Sequence, residues 1–217
     1  MKQFFHGVLL TGIAATTAFV ATPSQAADWD TCGMAGEVMA KGSLNLWPGS
    51  CQIGDKIYTF SKGADTDLPD STEIMISEFS GTQHTIIAQN GSGLIGTKFN
   101  YTISVAPSVT NWYLKQWTTD TASSLFGASY QVNTSPTNSA DPAVTITIPG
   151  DAGPKGPYNF NPNVTSSYFS NMISNGAVPV QQITNTIIQV PGPLPIVGAA
   201  TIFGFSRKLR TRIKATV

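Results

Sequence analysis

Between residues 27 and 190 the chain has no arginine and a single histidine, His84. Six lysines there face all twelve acids of the protein, which leaves that stretch at −6 although the whole chain is neutral. A domain so poor in cations repels phosphate backbones, which makes nucleic acid an unfavourable partner. Cysteine is almost as scarce, with Cys32 and Cys51 the only two. A tetrahedral metal site needs four ligands, and two cysteines with one histidine do not supply them. No apolar run reaches the roughly 20 residues that span a bilayer as a helix. No internal repeat and no G-x-S-x-G elbow occur, so neither a solenoid nor an esterase-type nucleophile is indicated.

What is present begins with an export signal. Lys2 gives a positive start, Val8 to Ala21 is apolar or small throughout, and Pro23 follows. Ser24-Gln25-Ala26 then places small residues before a cleavage point at Ala26, with Ala27 next in line. Export to an oxidising compartment makes a Cys32–Cys51 disulfide the expected state of an even cysteine count.

The other end carries three features in order. Val190-Pro191-Gly192-Pro193 is a proline motif, Leu194 to Phe205 an uncharged apolar run, and Arg207, Lys208, Arg210, Arg212 and Lys214 a basic cluster. Prolines keep a backbone extended, as a processing enzyme requires. Cations behind an apolar run stay on the cytoplasmic side. The run of 12 residues makes only about 18 Å of helix against a hydrocarbon core of about 30 Å, and tail arginines that snorkel cover part of the difference.

This arrangement over residues 189–214 resembles the PEP-CTERM sorting signal of bacterial envelopes, with Gly192 where the family has Glu. The resemblance implies an exosortase-type processing enzyme as partner, membrane attachment before processing, and association with exopolysaccharide or biofilm. Two other readings compete. Leu194-Pro195-Ile196-Val197-Gly198 approximates a sortase motif but has Val where Thr is needed, and a plain C-terminal strand with a basic end is the third.

Between the ends the sequence alternates. Phe99 to Val105 is apolar at odd positions and polar at even ones, and 128–133 and 144–148 repeat the scheme. Period two with β-branched and aromatic residues marks half-buried strands. Less regular pieces run over 51–60, 73–79, 84–89, 112–118 and 180–190. The expectation is an all-β domain over 27–188, an antiparallel β-sandwich of seven or eight short strands. It is flanked by a signal helix over 1–26 and a sorting tail over 189–217 with a short hydrophobic helix. Ser167 to Asn175 hints at a helix, with Tyr168, Phe169, Met172 and Ile173 on one side, and 149–165 reads as a long loop.

Candidate sites are few. Gly91-Ser92-Gly93-Leu94-Ile95-Gly96 spells G-x-G-x-x-G, but a strand-like run follows where the dinucleotide fingerprint needs a helix, so a turn is expected and no cofactor. Asp65, Asp67 and Asp70 form a weak calcium candidate, set against a solvated acidic turn. His84 reads as a structural residue of a strand. Trp112, Tyr113 and Trp117 offer a sugar-stacking surface or a buried cluster, with Tyr113 and Trp117 on one face by strict alternation. The functional expectation is a non-catalytic surface or matrix protein. A carbohydrate-binding module is the alternative, and a glycoside hydrolase with paired carboxylates the third reading.

Overall fold

The alternation seen in the sequence becomes two facing sheets. In a computed structural model, residues 31–33, 37–109, 111–151 and 153–192 are described. Twelve strands follow in chain order: β1 Met39–Ser43, β2 Ser50–Ile53, β3 Lys56–Thr59, β4 Glu73–Phe79, β5 Gln83–Gln89, β6 Tyr101–Val105, β7 Trp112–Ala122, β8 Tyr130–Pro136, β9 Val144–Ile148, β10 Lys155–Val164, β11 Ser166–Asn175 and β12 Gln182–Pro191. One sheet has the order β1-β4-β5-β12-β7-β10 and the other β2-β3-β6-β11-β8-β9. Every pairing between strands is antiparallel.

The inward positions of both sheets meet in one core. Phe99, Tyr101 and Ile103 are fully buried, as the alternation requires, and so are Ile74, Ile76, Ile86, Trp117 and Phe169. Tyr101 stacks on Phe169 at 5.1 Å, and Trp117 meets Phe169 edge-on at 6.2 Å. Each such side chain contributes about 1.5–3 kcal/mol on burial. The core also holds a polar seam. Thr119 and Thr134 share a hydrogen bond at 3.0 Å across the sheets, and Thr134 donates to Asn171 Oδ1 at 3.0 Å. Asn185 donates to the same oxygen at 2.9 Å. Buried polar groups with fixed partners set the register of one sheet on the other.

Among the described residues the sandwich has twelve strands rather than seven or eight, and three local readings change. Residues 51–60 divide into β2 and β3, joined by the two-residue turn Gly54-Asp55. Gly54 has φ +54°, the left-handed start of a type II′ turn. The expected helix over 167–175 is β11. Its buried residues Ser167, Phe169, Asn171 and Ile173 alternate, whereas Met172 is exposed. Polar Ser167 and Asn171 on the inner face concealed the period of two. The loop expected over 149–165 contains β10, whose prolines 157 and 162 are tolerated because β10 is an edge strand.

Cys32 and Cys51 are joined, with Cα atoms 5.3 Å apart. The bridge holds the start of the domain against β2, while Ile57 belongs to the next strand. β12 continues through Gln189, Val190 and Pro191, past the expected domain limit at 188. The signal segment with Ala26 and Ala27, Pro193, the apolar run and the basic cluster lie outside the described residues. Among the described residues no helix is long and apolar enough to cross a membrane.

Candidate functional site

The acidic loop between β3 and β4 spends its carboxylates on its own chain. Asp67 Oδ1 accepts the N–H groups of Thr97 at 2.8 Å and Lys98 at 2.9 Å, and Oδ2 accepts the Thr97 hydroxyl. Burial pushes its pKa up, but these hydrogen bonds more than reverse that and hold it below the ordinary value. Asp65 accepts the Ser61 N–H at 2.7 Å and the Tyr168 hydroxyl at 3.2 Å, and Asp70 pairs with Lys62. Among the described residues no three His, Cys, Asp or Glu side chains gather as metal ligands. The glycine-rich stretch is part of the same construction. A Cβ at Gly96 would stand 2.8 Å from Asp67 Oδ1, and the strand β6 follows the turn.

A bulge between Ile188 and Gln189 shifts the pairing of β12 with β7. Both Leu114 and Trp117 therefore face the core, so Tyr113 and Trp117 do not share a face. Trp117 packs on Tyr158 at 4.8 Å and is closed to ligands. Among the described residues the most exposed aromatics are Phe79 and Phe126. They stand at opposite ends of the first sheet and cannot grip one sugar together.

At the Phe126 end lies a cleft of about 520 Å³. Its floor is a row in register across the sheet, Glu73, Gln89, Gln182 and Ala122. Gln89 donates to Glu73 at 2.7 Å, and Gln181 Oε1 accepts the Ser124 N–H at 2.7 Å and hydroxyl at 3.0 Å. Asn90 donates to Ser71 at 3.1 Å. The lining is amide and hydroxyl with one carboxylate, that of Glu73. A glycosidase of the paired-carboxylate kind needs a second acid facing the first.

The outer face of the second sheet is of the same chemistry. Alternate positions such as Gln52, Thr59, Thr102, Ser170, Asn133 and Thr145 point outward, interrupted by Ile57, Tyr168 and the exposed Met172, and no Asp, Glu, Lys or Arg of its six strands does.

The charged groups instead meet inside, at the other end of the sandwich. Asp55 sits at the tip of the β2–β3 turn. Its Oδ1 lies 2.8 Å from Lys56 Nζ, and 3.1 Å from His84 Nε2, off the line of an aligned hydrogen bond. Gln189 Nε2 donates to Asp55 Oδ2 at 2.7 Å and to the Gly81 carbonyl at 2.9 Å. Lys56 Nζ also donates to Gln189 Oε1. Lys56 and His84 are fully buried, and Gln189 nearly so. Burial would raise the Asp55 pKa, yet the close approach of His84 and the hydrogen bonds from Lys56 and Gln189 hold it well below the usual range. Burial also pushes Lys56 below its ordinary value, with Asp55 and Glu78 opposing. Only His84 of this group stood out in the sequence. Alternation through Lys56, Tyr58 and Phe60, and through Asn185, Ile187 and Gln189, is the signal that places the lysine and the glutamine inside.

Val190 and Pro191 of the proline motif end β12, and Gly192 follows them. Gly192 is buried and donates its N–H to the Asn111 carbonyl. A Cβ there would come within 2.3 Å of the Tyr113 ring. The glycine that departs from the sorting-signal pattern is thus packed under a tyrosine.

No known protein family, curated protein or solved structure matches this chain.

Proposed function

We propose that this is an exported, non-catalytic structural and interaction protein of a bacterial envelope, sorted by its PEP-CTERM-like tail. The observation that carries the reading is the uncharged, mainly hydroxyl-and-amide face of the second sheet. Such a face has no group that suits a phosphate backbone or a charged protein surface, while its donors and acceptors match those of a polyhydroxyl matrix. The tail supplies the address, with its basic cluster holding the end of the chain inside until an exosortase-type enzyme acts.

Carbohydrate binding is the second reading, and the amide-lined cleft favours it. Glutamine, asparagine and serine side chains positioned by one another present the fixed donors and acceptors that orient a sugar. Cell fractionation and a glycan array test the two together. The protein is expected in the envelope fraction, retained by neutral exopolysaccharide, and Gln181→Ala should weaken retention if the cleft is the contact. A cytoplasmic location would sink the first reading, and indifference to every glycan the second.

A further inference from the structure

Three side chains close a triangle between the sheets. Lys56 Nζ is bonded to Gln189 Oε1 and to Asp55 Oδ1, while Gln189 Nε2 is bonded to Asp55 Oδ2. An amine is therefore seated against a carboxamide, and one carboxylate touches both the amine and the amide nitrogen. A salt bridge alone would not need the second contact. Water competes poorly here, because Lys56 has no exposed surface and Gln189 is 2% exposed.

We infer that Lys56 and Gln189 become joined by an intramolecular isopeptide bond that the folded chain forms by itself. In water an amine does not attack an amide at a useful rate, because it is protonated and because amide nitrogen leaves poorly. Each obstacle has an answer in the triangle. Burial moves Lys56 toward its neutral form. Fixed contact between the partners replaces a chance encounter with a high effective concentration. Asp55 reaches the two nitrogens through different oxygens, so it is placed to accept a proton from one and deliver it to the other.

The step balances without any co-reactant. Lys56 gives one proton to Asp55 Oδ1, and the freed lone pair on Nζ forms a bond to Gln189 Cδ as the carbonyl electrons move to Oε1. Asp55 passes that proton through Oδ2 to Nε2 and is then free to take the second proton from Nζ. The carbonyl reforms, the Cδ–Nε2 bond breaks with its electrons on nitrogen, and the released ammonia takes the second proton from Asp55 and departs as ammonium. Nothing is oxidised or reduced, and Asp55 ends as the carboxylate it began as. The Gly81 carbonyl, 2.9 Å from Nε2, holds the carboxamide with its nitrogen toward Asp55. His84, 3.1 Å from Oδ1, positions the carboxylate from the side of β5.

The test is the mass of the full chain purified from cells, with the disulfide reduced and the processed ends assigned. The protein should be lighter than its sequence by one ammonia, and proteolysis should release the Lys56 and Gln189 peptides as a single branched species. Lys56→Met and Gln189→Leu should restore the full mass while keeping the β-rich circular dichroism. Asp55→Asn should stay folded and unlinked, and a complete link in that variant would remove Asp55 from the mechanism. A folded wild-type protein of full mass, giving two separate linear peptides, would overturn the bond itself. So would an ammonia loss that maps to other residues.

Discussion

Lys56 on β3 and Gln189 on β12 lie 133 positions apart in the chain and are bonded to each other inside the sandwich. Their common partner is Asp55, and the three differ in what each can lose. Lys56 has no exposed surface, whereas the Asp55 side chain keeps 18% of its own. Asp55→Ala strands a buried ammonium and should cost about 3–5 kcal/mol. Lys56→Met removes the charge that needed burying and leaves a carboxylate that still reaches water, so its cost should be smaller. Neither variant can form the Lys56–Gln189 link, so the difference between their urea midpoints reads the stranded charge alone.

The same carboxylate predicts a pH dependence. A group whose folded pKa is depressed contributes stability that is present above its unfolded value, 3.8 for this aspartate, and lost as pH falls below it. Thermal unfolding of Lys56→Met, which cannot form the link and keeps Gln189 and His84 against Asp55, should show the midpoint dropping below about pH 4 as pH falls from 7 to about 2. Adding Asp55→Asn should flatten that fall. An unchanged acid slope in the variant would mean that other carboxylates carry it.

For the Cys32–Cys51 bridge, whose loop spans 19 positions, the chain-entropy argument gives about 3 kcal/mol. The unreduced, denatured protein should take up no thiol label, and Cys51→Ala should lose roughly 2–5 kcal/mol of stability.

The tail prediction depends on where the cut is made. Deleting everything after Gly192 should leave the domain folded and release it from the envelope. Deleting everything after Gln189 removes Val190 and Pro191 from their pairing with Tyr113 and Trp112, and should lower stability as well. Changing the five basic tail residues to glutamine should release the chain with its fold intact. Export itself should leave a mature chain that begins at Ala27 or one residue later. Gly192→Glu, although it brings the segment nearer the PEP-CTERM pattern that it resembles, should destabilise by about 1–3 kcal/mol because the Tyr113 ring must move. Fractionation paired with circular dichroism reads all of these.

The readable parts of the sequence were those where burial and polarity alternate without exception. β6, β9 and the first half of β8 have apolar inner faces, and these strands stand where the period of two puts them. The pattern failed where the inner face itself is polar. Buried Asn171 makes β11 read as a helix, and 51–60, read as one strand-like piece, is two strands with Lys56 buried at the start of the second. β10 was hidden for a different reason, since its prolines read as loop residues unless the strand is known to lie at an edge. The candidate site suffered most. Its members come from the β2–β3 turn and from β3, β5 and β12, and only the stacking of one sheet on the other brings them together.

β12 lies between β5 and β7 and is hydrogen-bonded to both along most of its length. The chain leaves the domain from this central strand, not from an edge. A pull on the C-terminal side therefore acts along the strand axis, and two ladders of backbone hydrogen bonds resist it at once. An edge strand in the same position would peel away one bond at a time. The domain is built to bear tension at the end where the chain continues.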